Sequence, residues 1–172
     1  MDEQTDLFGI PIPSTDKVFV GFVVVHILIS LVAVVTGALA MFAHKTSLRH
    51  KKNGNIYFLS MSFAFVTVVI LSLMRWSHNI NLLIIGILAI SATVVGRTFA
   101  KTKRNGWPLL HLIFMGASYI LLLTGFYVDN GKNLPFWRTL PHWSMYVFPS
   151  IVGIPIIIRV MMRHPLIKKR TL

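Results

Sequence analysis

The chain of 172 residues contains no cysteine. That excludes disulfides, thiolate metal centres, iron–sulfur clusters and thiol nucleophiles. Charge is scarce as well: 13% of residues are Asp, Glu, Lys or Arg, about half of the roughly 25% usual in a soluble domain. Acidic residues are the scarcest. Of five, four (Asp2, Glu3, Asp6 and Asp16) precede residue 17, which leaves Asp129 alone in the remainder. No two carboxylates share an apolar segment, which argues against a carboxylate-based proton pump or di-metal site. Glycine-rich phosphate loops, a GxSxG elbow and an HExxH motif are absent too.

What is abundant is apolar: 55% of the residues, with a mean hydropathy of +0.70. The apolar residues form five runs, at 18–43, 56–74, 80–95, 108–128 and 143–162. A helix needs about 20 apolar residues to cross a bilayer. The third run, about 16 residues long, is a little short of that. The expected fold is an all-α integral membrane bundle of five helices, with an N-terminal tail at 1–17 and a basic tail at 163–172. No room is left for a separate soluble domain. The first residues are acidic and contain Pro11 and Pro13, unlike the positive start of a cleavable signal peptide, so no cleavage is expected.

The net charge of +12 is distributed in clusters. Thirteen basic residues fall between the first and second runs, between the third and fourth, and in the last turn of the fifth or after it; the other side holds only Lys17, Arg75, Lys132 and Arg138. The positive-inside rule then places the N-terminus outside and the C-terminus in the cytoplasm of a bacterial cell. The clusters suit anionic lipid headgroups and form no basic face for nucleic acid. Trp76, Tyr127, Trp137, Trp143 and Tyr146 are expected at the outer interface, and Tyr57 and Trp107 at the inner one. Asp129-Asn130-Gly131-Lys132 reads as a turn, with Asp129 in an Asx turn or paired with Arg75, Lys132 or Arg138. Pro149 and Pro155 each remove a helical hydrogen bond, so the fifth segment is expected to be kinked or locally unwound.

Seven histidines carry most of the chemical potential of the chain. His26 and His44 are 18 residues apart, five turns of one helix, with the small residues Ser30, Ala33, Gly37 and Ala40 on the face between them. Such a groove packs membrane helices closely, or it could admit a flat macrocycle. His26, His78 and His142 fall at one leaflet level, and His44, His50 and His111 at the other. His164 belongs to the basic tail. Met115 and Ser118 follow His111 on one helical face. Neutral imidazole ligates haem iron and other metals, and it also serves as a plain structural hydrogen-bonding group.

The stretch from His50 to Tyr57, HKKNGNIY, resembles the HRxxGxIY signature of a bacterial membrane protein family catalogued as domain of unknown function 2306. Lys51 stands in place of the usual arginine. His111, Met115, Ser118 and Tyr119 resemble that family's H-x3-M-x2-SY pattern, and His26 with Gly37 and the stretch FYVDNGKNLPFW agree. The resemblance runs from about Val25 to His164 and implies a multi-pass membrane bundle. Taken together, the expectation is a haem b or redox-linked membrane protein with His111 and either His44 or His50 as ligands at the inner leaflet. A second site would use His26 with His78 or His142. The alternative is a non-enzymatic accessory or transporter-like component, a homo-oligomer or the partner of another membrane protein, that uses the groove for packing. A lipid-modifying or metal-handling enzyme is the third reading.

Overall fold

The computed structural model describes residues 5–7, 10–12 and 16–163, the side chains of residues 5–7, 10–12 and 78 excepted. His164, the rest of the basic tail and most of the acidic tail lie outside the described residues. Strands β1 (Thr5–Leu7) and β2 (Ile10–Ile12) pair antiparallel in the register Thr5↔Ile12. Five helices follow: α1 (Lys17–Phe42), α2 (Leu48–Met74), α3 (Trp76–Thr102), α4 (Trp107–Asn130) and α5 (Trp143–Met162). Each is long and apolar enough to cross a membrane. Successive helices pack on one another, and α1 also touches α4.

Local chemistry sets the helix ends. The Asp16 carboxylate accepts from the Val18 amide at 2.9 Å and starts α1. Ser47 accepts from the His50 amide at 3.1 Å and starts α2. Both are side-chain caps for otherwise unpaired N–H groups. The α3–α4 connection turns through Lys103 at φ 49° and Gly106 at φ 75°; glycine takes the second of these left-handed positions without a Cβ penalty. At the other end a single residue, Arg75, separates α2 from α3. Asn79 ties that corner by donating from Nδ2 to the Leu71 carbonyl at 3.0 Å.

The packing is inverted relative to a protein in water. Val25, Leu28, Leu31, Leu39, Phe63, Ile87, Ile151 and Ile154 are exposed, whereas Ser72, Thr93 and Ser118 are fully buried. Thr93 and Ser118 donate to carbonyls within their own helices, Ala89 and Met115. Interiors of this kind, with small and hydroxyl residues between helices and aliphatic residues outside, belong to chains whose solvent is lipid.

Several expectations from the sequence are corrected. Helix α2 begins at Leu48, eight residues before the apolar run, because the Ser47 cap organises the polar stretch into two helical turns. Helix α3 is 27 residues long, since its polar ends are helical too. The chain stays helical through Asp129 and Asn130 and enters two 3-10 turns, Gly131–Asn133 and Trp137–Thr139. No Asx turn forms there: Asn130 donates from its side chain back to the Phe126 carbonyl at 3.1 Å. Helix α5 is continuous through Pro149 and Pro155, so of the two expected outcomes, a kink or local unwinding, the unwound one is not found. Helix α1 stops at Phe42, so His44 lies in the following turn and shares no helix face with His26. Tyr57 is 2% exposed and belongs to the interior of the bundle rather than to an interfacial belt.

Candidate functional site

The small-residue face of α1 is filled. Ala33, Gly37 and Ala40 are buried, and the rings of Tyr57 and Tyr119 lie against Gly37. A Cβ at position 37 would stand 2.7 Å from Tyr119 and 2.9 Å from Tyr57. Glycine here is a requirement of close approach. Tyr119 donates to the Val34 carbonyl at 3.1 Å. Tyr57 is hydrogen-bonded to Ser118 at 2.8 Å, and because the Ser118 hydroxyl donates to Met115, Tyr57 is the donor. The groove therefore holds two tyrosines at mid-depth, and no macrocycle fits beside Gly37.

One level toward the basic end, α2 and α4 meet again. His50 and His111 stand seven residues before Tyr57 and Ser118 respectively, so two turns of each helix separate the same two levels. The His50 and His111 rings are 6.3 Å apart between centroids and perpendicular, at 88°. His50 donates from Nδ1 to the Ala40 carbonyl at 2.9 Å. His111 donates from Nδ1 to the Gly96 carbonyl at 2.8 Å. Since a carbonyl only accepts, each Nδ1 carries the proton and each Nε2 keeps its lone pair. Neither Nε2 has a hydrogen-bond partner among the described residues. A backbone carbonyl that fixes the tautomer of an imidazole is the usual support of a metal-ligating histidine.

The acceptors arise from the fold itself. Ala40 lies in the last turn of α1, where carbonyls lack helical partners. Lys45 folds back over the same turn, donating to Met41 and to Ala40, the latter at 3.4 Å. Burial there holds the Lys45 ammonium below the ordinary lysine range. On the α4 side, Gly96 lets Met115 approach to 3.0 Å from where a Cβ would stand. Met115 thus fills the α3–α4 contact and also lines the cavity beside the histidines.

That cavity is half-open and measures about 270 Å³. His50 and His111 line it, with Tyr57 and Tyr119 on its deep side and Lys45, Lys51, Arg97 and Lys101 among its basic residues. No carboxylate lines it. Arg97 is held over the Phe58 ring at 4.1 Å, a cation–π contact. The site thus combines two oriented imidazoles with apolar and basic side chains in one cavity lining.

The other candidate histidines are placed differently. His26 donates from Nδ1 to Thr67 Oγ1 at 2.7 Å and its Nε2 meets Ser30 Oγ at 3.4 Å. Thr67 in turn donates to the Ala64 carbonyl at 2.8 Å. Both nitrogens of His26 are therefore engaged in an α1–α2 hydrogen-bond network. His142 is exposed and stacks edge-on with Tyr146 at 5.7 Å; no hydrogen bond or ring contact joins it to His26. The His78 side chain lies outside the described residues. His44 is exposed and bonds Thr46 at 2.9 Å. Among the described residues no group of three or more metal-ligating side chains converges. Sequence reasoning named both histidines of the pair but left His44 and His50 as alternatives. It missed Tyr57 as the buried partner of Ser118 and the two carbonyls that orient the rings. Comparison with family models, with curated proteins and with solved structures finds no match.

Proposed function

We propose that the chain is a multi-pass protein of a bacterial plasma membrane that binds haem through His50 and His111, with its basic end in the cytoplasm and its N-terminus outside. The observation that carries this reading is the imidazole pair. The ring centroids are 6.3 Å apart, each Nδ1 is held by a backbone carbonyl, and the two Nε2 atoms, which have no hydrogen-bond partner among the described residues, would be the groups that hold the metal. Two protein ligands suffice for haem because the porphyrin supplies the other four. Among the described residues no third ligating side chain joins the pair, and a bare zinc site needs three or four.

Each part of the cavity then has a role. His50 and His111 would hold the iron, tuned by ligand type and burial. The carbonyls of Ala40 and Gly96 keep both rings in the ligating tautomer. Lys45, Lys51, Arg97 and Lys101 would take the propionates by charge-assisted hydrogen bonds. Tyr57 and Tyr119 close the floor. With one such pair, at one leaflet, the reading is haem sensing or handling rather than electron transfer across the membrane, which needs a relay in both leaflets. Haem bound here would supply a redox-active iron. The same end of the bundle attracts anionic headgroups, and the resemblance of the His50–Tyr57 and His111–Tyr119 motifs supports membership of the bacterial family named above.

The test is spectroscopic. Purified protein titrated with haem is expected to give a six-coordinate, low-spin spectrum that His50→Ala and His111→Ala each abolish. A wild-type sample that develops no Soret shift on titration would rule the reading out.

A further inference from the structure

Both imidazoles stand near helix ends. His50 is in the first turn of α2 and His111 in the second turn of α4. End turns lack part of their backbone hydrogen bonds and fray. Helix α2 packs on α1 and α3, whereas α4 packs on α3 and touches α1. The spacing of the two rings therefore depends on side chains that reach from α2 to α4. Tyr57 is such a side chain. Its hydroxyl donates to Ser118 of α4 at 2.8 Å, and Thr93 of α3 stands beside the same hydroxyl. All three side chains are fully buried. Among the described residues this is the one hydrogen bond that joins α2 to α4 directly. Tyr119 makes the return link, from α4 to the Val34 carbonyl of α1 at 3.1 Å. Its ring lies 6.3 Å from that of Tyr57, so two neighbouring phenols tie four helices together at one level.

Each of those helices also carries one group of the imidazole pair. His50 is seven residues before Tyr57, His111 seven before Ser118, Gly96 three after Thr93 and Ala40 six after Val34. None of these spacings exceeds two helical turns. We infer that Tyr57 and Tyr119 are positioning residues for the imidazole pair: their hydroxyls fix the four helices close to the site and so set where each ring, and the carbonyl that orients it, comes to rest. The inference rests on the haem reading above. Filling the space beside Gly37 needs only a ring, which phenylalanine would supply. A buried hydroxyl carries a desolvation cost that is recovered only when it is bonded. Thr93 and Thr124 recover it by donating back along their own helices. The two tyrosines donate across helices instead.

The experiment is a haem titration of the full-length protein in detergent, read by spin state as well as by affinity. Tyr57→Phe keeps the ring against Gly37 and removes only the hydroxyl. At saturating haem it is expected to convert part of the six-coordinate, low-spin signal into a five-coordinate, high-spin one, seen in the Soret band and by electron paramagnetic resonance. Binding is expected to weaken about fivefold, the scale of one interhelical hydrogen bond in a membrane bundle. Tyr119→Phe is expected to act in the same direction. Ser118→Ala added to Tyr57→Phe should change little further, because both remove the same bond. His26→Leu also removes an interhelical hydrogen bond and is expected to leave the spin state unchanged, which separates positioning from general loosening of the bundle. Should Tyr57→Phe fail to fold, Ser118→Ala alone reads the same link, since the phenol can then turn only toward α3. A wild-type spin state and affinity in Tyr57→Phe overturn this inference and leave the haem reading standing. A spin change of equal size in His26→Leu overturns it as well. A wild-type protein that binds no haem overturns both.

Discussion

Two sets of histidines sit within the same bundle under similar burial, yet their nitrogens are spent differently. His26 commits Nδ1 to Thr67 and Nε2 to Ser30. His50 and His111 each commit Nδ1 to a backbone carbonyl and hold Nε2 uncommitted. Burial alone does not separate a ligand from a structural bridge. Accounting for every donor and acceptor does, because an imidazole with both nitrogens satisfied gains little by meeting a metal, whereas one oriented by a carbonyl has its second lone pair ready.

Substitutions can break or sharpen this contrast. His111→Ala and His50→Ala are expected to have the largest effect, lowering haem affinity at least about 100-fold, roughly 2.7 kcal/mol, in a Soret titration. The contrast collapses if His26→Leu does the same. Next comes Gly37→Val, which drives side-chain atoms into the Tyr57 and Tyr119 rings and should cost about 2–3 kcal/mol by overpacking, seen as a lower midpoint in thermal unfolding in detergent. Should Gly37→Val be neutral, the two tyrosines do not lie against α1 as described. His26→Leu is expected to cost about 1 kcal/mol, the usual scale of an interhelical hydrogen bond in a membrane bundle, while leaving the haem spectrum unchanged. His44→Ala is expected to stay within about 0.5 kcal/mol, as an exposed turn residue should; a spectral change on His44→Ala would reopen the choice between His44 and His50.

The spans were legible because lipid enforces long apolar runs on any helix that crosses it. Their ends were less so. The first two turns of α2 read His50-Lys51-Lys52-Asn53-Gly54-Asn55 and have the composition of a loop, but one capping hydroxyl at Ser47 makes them helical. The approach of His50 to His111 was partly legible, because the topology set His44, His50 and His111 at one level, but the choice between His44 and His50 stayed open. The filling of the α1 groove was not legible. Gly37 announces a close neighbour without naming it, and the rings that arrive come from 20 and 82 residues further along the chain. Nor could the pattern separate His26 from His50, since the difference lies in hydroxyls and carbonyls supplied by other helices.

The attachment of α5 has a consequence for how the protein is made. That helix packs on α4, and it supplies neither the imidazoles nor the carbonyls that orient them. Everything that defines the pair, from Ala40 through His50 and Gly96 to His111, belongs to the first four helices. A nascent chain can therefore complete its ligand pair before residue 143 leaves the ribosome. The last helix then arrives as a wall against an imidazole pair that is already formed.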